Sequence, residues 1–133
     1  MKKVINVSGK RKKAIARVTL KEGKGIIKIN NQPLDIYEPE IARMKITEPL
    51  LIAGNLAKTV NINVNVYGGG WQSQAEASRL AIAKALVEFS NSKALKQQFL
   101  DYDRHLLVAD VRRNEPHKPN DSKPRAKRQK SYR

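Results

Sequence analysis

The chain has 133 residues, no cysteine and a formal net charge of +15. Its length suits one domain plus a tail, and the absence of cysteine excludes disulfides and thiolate chemistry. The sequence has no apolar run long enough to span a membrane and opens without the apolar stretch of a signal peptide, so we expect a soluble cytoplasmic protein.

Three strands and an interrupted helix are predicted in the first half. Residues 4–7 form a short strand, and residues 14–20 and 25–30 form two more. Residues 21–25 contain two glycines and are predicted to join the second and third strands as a hairpin turn. Residues 39–57 look helical; Pro39 suits a first helical turn, while Pro49 should end or kink the helix.

The strongest local signals lie in the second half. Residues 60–67 alternate β-branched and polar side chains, which predicts a strand with one dry face and one asparagine face. Residues 72–89 have an apolar stripe at helical spacing and five alanines, so a slim helix can lie close to a sheet. Ser92 is predicted to cap a short helix that ends at Leu100, and residues 106–108 to dock on the core.

The excess positive charge lies at the two ends. Residues 1–21 contain eight Lys/Arg and no acid, whereas residues 22–111 contain ten residues of each sign. Residues 112–133 contain nine Lys/Arg, two acids, three prolines and a single aliphatic side chain, Ala126. This C-terminal segment has too little to bury to offset its ordering entropy, so we expect an extended tail that orders on a polyanion.

Two loops are candidates for phosphate contact. Residues 8–13 form a dense basic loop without nearby acids, and Gly68–Gly70 separate the best strand from the best helix. A plain strand-to-helix turn explains the glycines equally well. Asp101, Asp103 and His105 resemble a metal cluster only superficially, and a charged loop is the better interpretation. Since aromatics are scarce at both ends, phosphate contacts and shape should dominate over base stacking.

Several motifs occur in order along the chain. Residues 9–20 follow the pattern Gly-(Lys/Arg)-Arg-Lys-x-Ala-x-Ala-Arg-Val-x-Leu, and residues 23–27 give Gly-x-Gly-x-Ile. Residues 68–86 combine a triple glycine, a Gln and an Ala-rich helix, and residues 110–115 read Asp-Val-Arg-Arg-Asn-Glu. With these motifs the chain resembles the small-subunit ribosomal protein nine family, and residues 127–133 look like its archaeal and eukaryotic ending. Ser73 departs from a common glycine and would either cap the helix or restrict backbone approach to RNA, and Lys84 departs from a common arginine.

The resemblance implies a fold and a function. The expected fold is α+β: a two-layer domain, residues 1–111, with a mixed, mostly antiparallel four-stranded sheet and a left-handed β-α-β crossover, followed by a tail, residues 112–133. The family implies a structural role in the head of the small ribosomal subunit. Its partners would be rRNA, other head proteins and, at the tail end, the anticodon stem-loop of the peptidyl-site tRNA. We expect no enzymatic activity, no cofactor and no metal.

The residues expected to contact RNA fall into two sets. The rRNA-binding set is Lys10, Arg11, Lys12, Lys13, Arg17, Gly68, Gly69, Gly70, Gln74, Arg79, Arg112, Arg113, Lys118, Lys123, Arg125, Lys127 and Arg128. The tRNA-binding set is Lys130, Tyr132 and Arg133.

Two other functions compete with this interpretation. A small-molecule kinase could use a glycine-rich loop before a helix, but the chain leaves no room for a second lobe and has no paired acid and base. A free nucleic-acid chaperone is compatible with the charge alone.

Overall fold

The computed structural model describes residues 3–132, and this part of the chain forms one five-stranded sheet and three α-helices. The strands are β1 (Val4–Arg11), β2 (Ala14–Glu22), β3 (Ile27–Ile29), β4 (Gln32–Pro33) and β5 (Val60–Tyr67). The helices are α1 (Glu40–Ala53), α2 (Trp71–Ser90) and α3 (Lys93–Tyr102). Short 3₁₀ turns cover Leu34–Ile36, Gly54–Thr59 and Arg104–Leu106. The α+β class is confirmed.

The sheet has the order β1-β2-β5-β3-β4. The pairs β1/β2, β2/β5 and β3/β4 are antiparallel, and β3/β5 is parallel, so the mixed, mostly antiparallel character is confirmed. The connection from β3 to its parallel neighbour β5 contains α1, which makes a β-α-β unit. The left hand of that crossover stays a prediction.

The count of four strands is wrong because β4 was missed. This two-residue strand pairs with the end of β3 through a turn formed by Asn30 and Asn31, which have φ of 50° and 66°. Asparagine tolerates this left-handed conformation better than most residues, and two such residues in succession suit a tight hairpin.

The predicted hairpin between the second and third strands is also wrong. β2 and β3 lie on opposite sides of β5 and do not pair with each other. The segment between them runs beside the start of β5, where the amides of Gly23 and Gly25 donate to the carbonyls of Thr59 and Val60 at 2.9 and 3.1 Å. The glycines therefore allow this segment to lie close to the start of β5. Glycine suits such a close approach as well as a hairpin turn.

The helices cover one face of the sheet. α2 packs on β1 and β2, and the core between the layers includes the fully buried side chains of Leu20, Ile62, Ile82 and Phe99. Gly9 of β1 faces α2 so closely that a Cβ there would lie 2.6 Å from the carbonyl oxygen of Ala77. No helix of residues 3–132 covers the other face of the sheet, which presents polar side chains, including Asn63 and Asn65.

The predicted helices are confirmed with shifted ends. α2 extends one residue beyond the predicted range at each end. Ser92 caps α3, because its Oγ accepts a hydrogen bond from the amide of Leu95 at 3.2 Å. α1 continues past Pro49 to Ala53, so that proline does not end the helix. Ser73 does not cap α2, whose N-cap is Gly70. After α3, Leu106 is fully buried and Leu107 packs against the core, while Val108 is more than one-third exposed.

Candidate nucleic-acid interface

The basic loop predicted at residues 8–13 is mostly strand. β1 runs to Arg11 and pairs there with Ala14, so only Lys12 and Lys13 form the turn of the β1-β2 hairpin. Lys12 adopts φ of 53°, and both lysines are exposed. The loop is therefore a two-lysine tip, because the alternation of exposed and buried side chains in β1 continues through Ser8, Gly9 and Lys10.

The triple glycine packs against this tip. Gly68 and Gly69 have φ of 79° and 64°, and a Cβ on Gly68 would lie 2.5 Å from the carbonyl oxygen of Lys13. The Gln74 side chain closes the loop by donating from Nε2 to the carbonyl oxygen of Gly68 at 3.2 Å. Gly70 has open space around it. The two loops singled out in the sequence therefore meet at one end of the domain, and packing alone requires glycine at position 68.

Two of the predicted arginines lie in ion pairs inside the protein. Arg11 forms ion pairs with Glu76 at 2.6 Å and with Asp110 at 3.5 Å. Arg79 forms ion pairs with Glu48 at 2.6 Å and with Asp103 at 3.1 Å. The Arg11 and Arg79 side chains are only 13% and 12% exposed.

The ion pairs give both arginines a structural role that links β1 and the helices to the segment after α3. No local signal in the sequence reveals these pairs, because the partners are 24 to 99 residues away. Direct RNA contact by Arg11 and Arg79 stays a prediction.

Asp103 is held as a carboxylate. Burial acts to raise its pKa, but the His105 amide and the Arg79 guanidinium outweigh burial, and the net pKa is below the ordinary value. The Asp103 oxygens are therefore engaged by an amide and an arginine. Of the predicted charged loop, Asp101 instead lies in α3 and His105 lies in the 3₁₀ turn Arg104–Leu106.

The start of the tail is fixed beside the hairpin tip. Arg113 donates from Nη1 to the carbonyl oxygen of Lys12 at 3.1 Å. Asp110 accepts from the Arg112 Nε at 3.0 Å and also faces Arg11. Hydrogen bonds from the Arg112 side chain and then from its backbone amide hold the pKa of Asp110 far below the ordinary value, with smaller contributions from the Arg11 and Arg112 charges. The chain therefore leaves the domain next to the two exposed lysines.

The described part of the tail, residues 112–132, contains no helix or strand. Two hydrogen-bonded turns interrupt it, one from Lys118 to Asp121 and one from Lys123 to Ala126. Arg125 folds back to Glu115, with 2.9 Å between its Nε and the carboxylate. All predicted residues of the described tail are exposed: Arg112, Arg113, Lys118, Lys123, Arg125, Lys127, Arg128, Lys130 and Tyr132. Arg133 lies outside the described residues.

Arg17 lies apart from the hairpin tip. It projects from the middle of β2 on the face without helices, and its guanidinium lies 5.5 Å from the ring centre of Tyr67 on β5. The structure thus divides most of the predicted residues into three groups: the tip and glycine loop with the tail, the internal arginines, and Arg17 on the sheet. Lys10 lies outside these groups, exposed near the end of β1.

Comparison with known proteins decides the family. Residues 9–133 match the family described as ribosomal protein S9/S16. The chain belongs to this family. It is 53% identical to the small ribosomal subunit protein uS9 of Methanococcus maripaludis strain C7, across 98% of this chain and 99% of the relative. The uS9 of Methanococcus vannielii is 51% identical over the same shares.

Membership of the S9/S16 family confirms the resemblance seen in the sequence. A ribosomal protein of the small subunit is a structural constituent of the ribosome in the cytoplasm and not an enzyme, so the kinase alternative is excluded. Among the described residues, no helix combines the length and the apolar character needed to cross a membrane.

Proposed function

We propose that this S9/S16 family member binds rRNA in the head of the small subunit through the hairpin tip, the glycine loop and the tail. The observation that carries the proposal is the meeting of Lys12, Lys13, Gly68–Gly70 and the start of the tail at one end of the domain. Within residues 3–132, the hairpin-tip lysines and the tail residues Lys118, Lys123, Lys127, Arg128 and Lys130 have no ion-pair partner. Cations without internal partners are available to phosphates.

Phosphate contact explains how such a chain remains stable in its complex. The positive ends repel each other in the free protein, and rRNA phosphates remove that repulsion while releasing their counterions. The hairpin tip lies on a rigid sheet, so it can recognise the shape of a folded RNA. The tail has few internal contacts and can follow an RNA groove.

The tail also has the length to reach a second RNA. Twenty-two extended residues span on the order of 70 Å, which takes the last residues far from the domain. We propose that Lys130, Tyr132 and Arg133 contact the anticodon stem-loop of the peptidyl-site tRNA. The arginine lies beside its own α-carboxylate, so its guanidinium needs geometric placement as well as charge to hold a phosphate.

Salt-dependent rRNA binding tests the first part of the proposal. The double variant Lys12→Gln/Lys13→Gln should lower the slope of log affinity against log salt by about 0.7 to 0.9 for each phosphate that the protein no longer neutralises. Lys93→Gln/Lys96→Gln is the matched control, because it removes two exposed charges from α3. Equal slopes for the hairpin variant and the wild type, and for a chain without residues 112–133, would contradict the proposal.

Deletion of Arg133 tests the second part. The shortened chain should still assemble into small subunits, but those subunits should retain peptidyl-site tRNA less well. Sedimentation measures the assembly, and filter binding of labelled tRNA measures the retention. Failure of head assembly would show instead that the last residue serves the folding of the particle.

A further inference from the structure

The face of the sheet opposite the helices is a second cationic surface. We define the open face by the outward side chains Arg17, Lys21, Lys28, Asn63, Asn65 and Tyr67. The strand register places Asn65 beside Arg17, and Asn63 between Thr19 and Lys28, so these residues form a continuous surface. Neither α1, α2 nor α3 covers it.

The open face carries positive charge without compensation. Glu22 is the sole acid in the five described strands, and the alternation of β2 directs it away from the side of Lys21. Arg17, Lys21 and Lys28 make no ion pair within residues 3–132. Charge complementarity therefore favours an anionic partner over an apolar one.

The three cations are too far apart to hold a single anion. Lys21 follows Arg17 by four positions along β2, which corresponds to about 13 Å, and Lys28 lies two strands from β2, about 10 Å away. Such spacing suits several phosphates of one polymer. Tyr67 already has the Arg17 guanidinium over its ring, so the face offers no free aromatic platform for base stacking.

Uncharged polar groups fill the space between the cations. Asn6, Ser8, Arg17, Thr19 and Asn65 line a shallow groove across β1, β2 and β5. Asn6 accepts from Thr19 at 3.0 Å and Asn61 binds the amides of Lys24 and Ile26. Asn63 and Asn65, in contrast, make no side-chain hydrogen bond to any described residue. Their amides can both donate and accept, as ribose hydroxyls and phosphate oxygens require.

We infer that the open face binds a second segment of rRNA through its sugar-phosphate backbone, on a different side of the domain from the helical layer. Lysines and Arg17 contact phosphates, and Asn63 and Asn65 bind 2′-hydroxyls. This inference rests on the proposed function and adds to it a surface that the hairpin tip and tail do not include. It also explains why asparagine, a poor strand former, occupies the outward positions of β5.

Two variants of the full chain test the inference, with small-subunit rRNA as the probe. Lys21→Gln/Lys28→Gln should lower the salt slope of binding by about 0.7 to 0.9 for each phosphate that the open face no longer neutralises. Asn63→Val/Asn65→Val introduces strand-forming side chains without hydrogen-bonding groups and should weaken binding several-fold without changing the slope, because it removes no charge. In the bound wild type, Lys21 and Lys28 should be less reactive toward an amine-acylating reagent than in the free protein.

The Lys93→Gln/Lys96→Gln control separates the possible outcomes. If the open-face lysine variant changes the slope no more than this control does, the inference is overturned, and an acidic protein surface becomes the alternative partner. The proposed function would still stand in that case if the hairpin-tip variant has a reduced slope. If the wild type binds small-subunit rRNA no better than unrelated RNA, both are overturned.

Discussion

Gly9 shows at the scale of one residue how closely the two layers approach. A Cβ at this position would lie 2.6 Å from the Ala77 oxygen and 2.9 Å from the Ala81 nitrogen, both in the backbone of α2. Gly9→Ala should therefore lower the free energy of unfolding by about 1–3 kcal/mol, because β1 and α2 must move apart. Urea denaturation measures the change.

The neighbouring residue supplies the control for Gly9→Ala. Ser8 is exposed on the opposite face of β1, so Ser8→Thr adds one methyl group where it meets solvent. Its effect should stay within about 0.5 kcal/mol. Equal decreases for the two variants would mean that the helix does not press on the strand at Gly9.

Asp110 should make the stability of the fold depend on pH in the acidic range. The Arg112 hydrogen bonds hold the pKa of this carboxyl below its ordinary value of 3.8 in the folded chain. The ionised carboxylate therefore stabilises the fold above about pH 4, and the contribution is lost as the pH falls toward the lower folded pKa. Asp110→Asn should be less stable than the wild type at pH 7, and the difference should shrink below pH 4. A difference that does not vary between pH 7 and pH 2 would show that the pair contributes nothing.

At the scale of elements, the cap of α3 makes its own contribution to the free energy of unfolding. Ser92 Oγ satisfies the Leu95 amide, one of the free donors at the start of the helix. Ser92→Ala should lower the free energy of unfolding by about 0.5–2 kcal/mol, measured by thermal or urea denaturation. Ser73→Ala is the control, since Ser73 lies inside α2 without a cap bond, and it should change stability by at most about 0.5 kcal/mol.

Elements defined by local pattern were predictable, and their partners were not. The alternation of residues 60–67 and the alanine-rich stripe of α2 predicted both elements because each pattern lies within one segment. The glycines at positions 23 and 25 have the same local signature in a hairpin turn as in a segment that borders β5. Only the long-range pairing of β5 with both β2 and β3 distinguishes these cases.

In the candidate interface, too, local pattern predicted some features and long-range contacts decided the others. The basic composition predicted Lys12, Lys13 and the tail as exposed cations, and the structure places them in the open. Arg11 and Arg79 look identical to these cations in the sequence, yet acids up to 99 residues away engage them. The open face needed the strand register before its cations could be grouped, because Arg17 and Lys28 lie on strands that β5 separates.

At the scale of the whole molecule, the folded part should be independent of its tail. Residues 112–132 contain no helix or strand, and the ion pairs of the tail join Asp110 to Arg112 and Glu115 to Arg125, both close in sequence. The Arg113 hydrogen bond to Lys12 is the contact that ties this tail to the hairpin tip. A chain ending at residue 111 should unfold in one cooperative step. Its free energy of unfolding should fall by no more than about 1 kcal/mol beyond the effect of Asp110→Asn, because it loses the Arg112 partner of Asp110 and one exposed hydrogen bond, which contributes about that much.

Calorimetry of the full and shortened chains measures this independence. The shortened chain should keep the unfolding enthalpy of the domain, because the buried residues end at Leu106. The stability of the shortened chain should also depend less on salt concentration. Removing nine Lys/Arg and two acids takes away a net charge of +7 and with it part of the repulsion that salt screens. A shortened chain that unfolds without a cooperative transition would show that the tail is part of the fold, and the division at residue 111 would then be wrong.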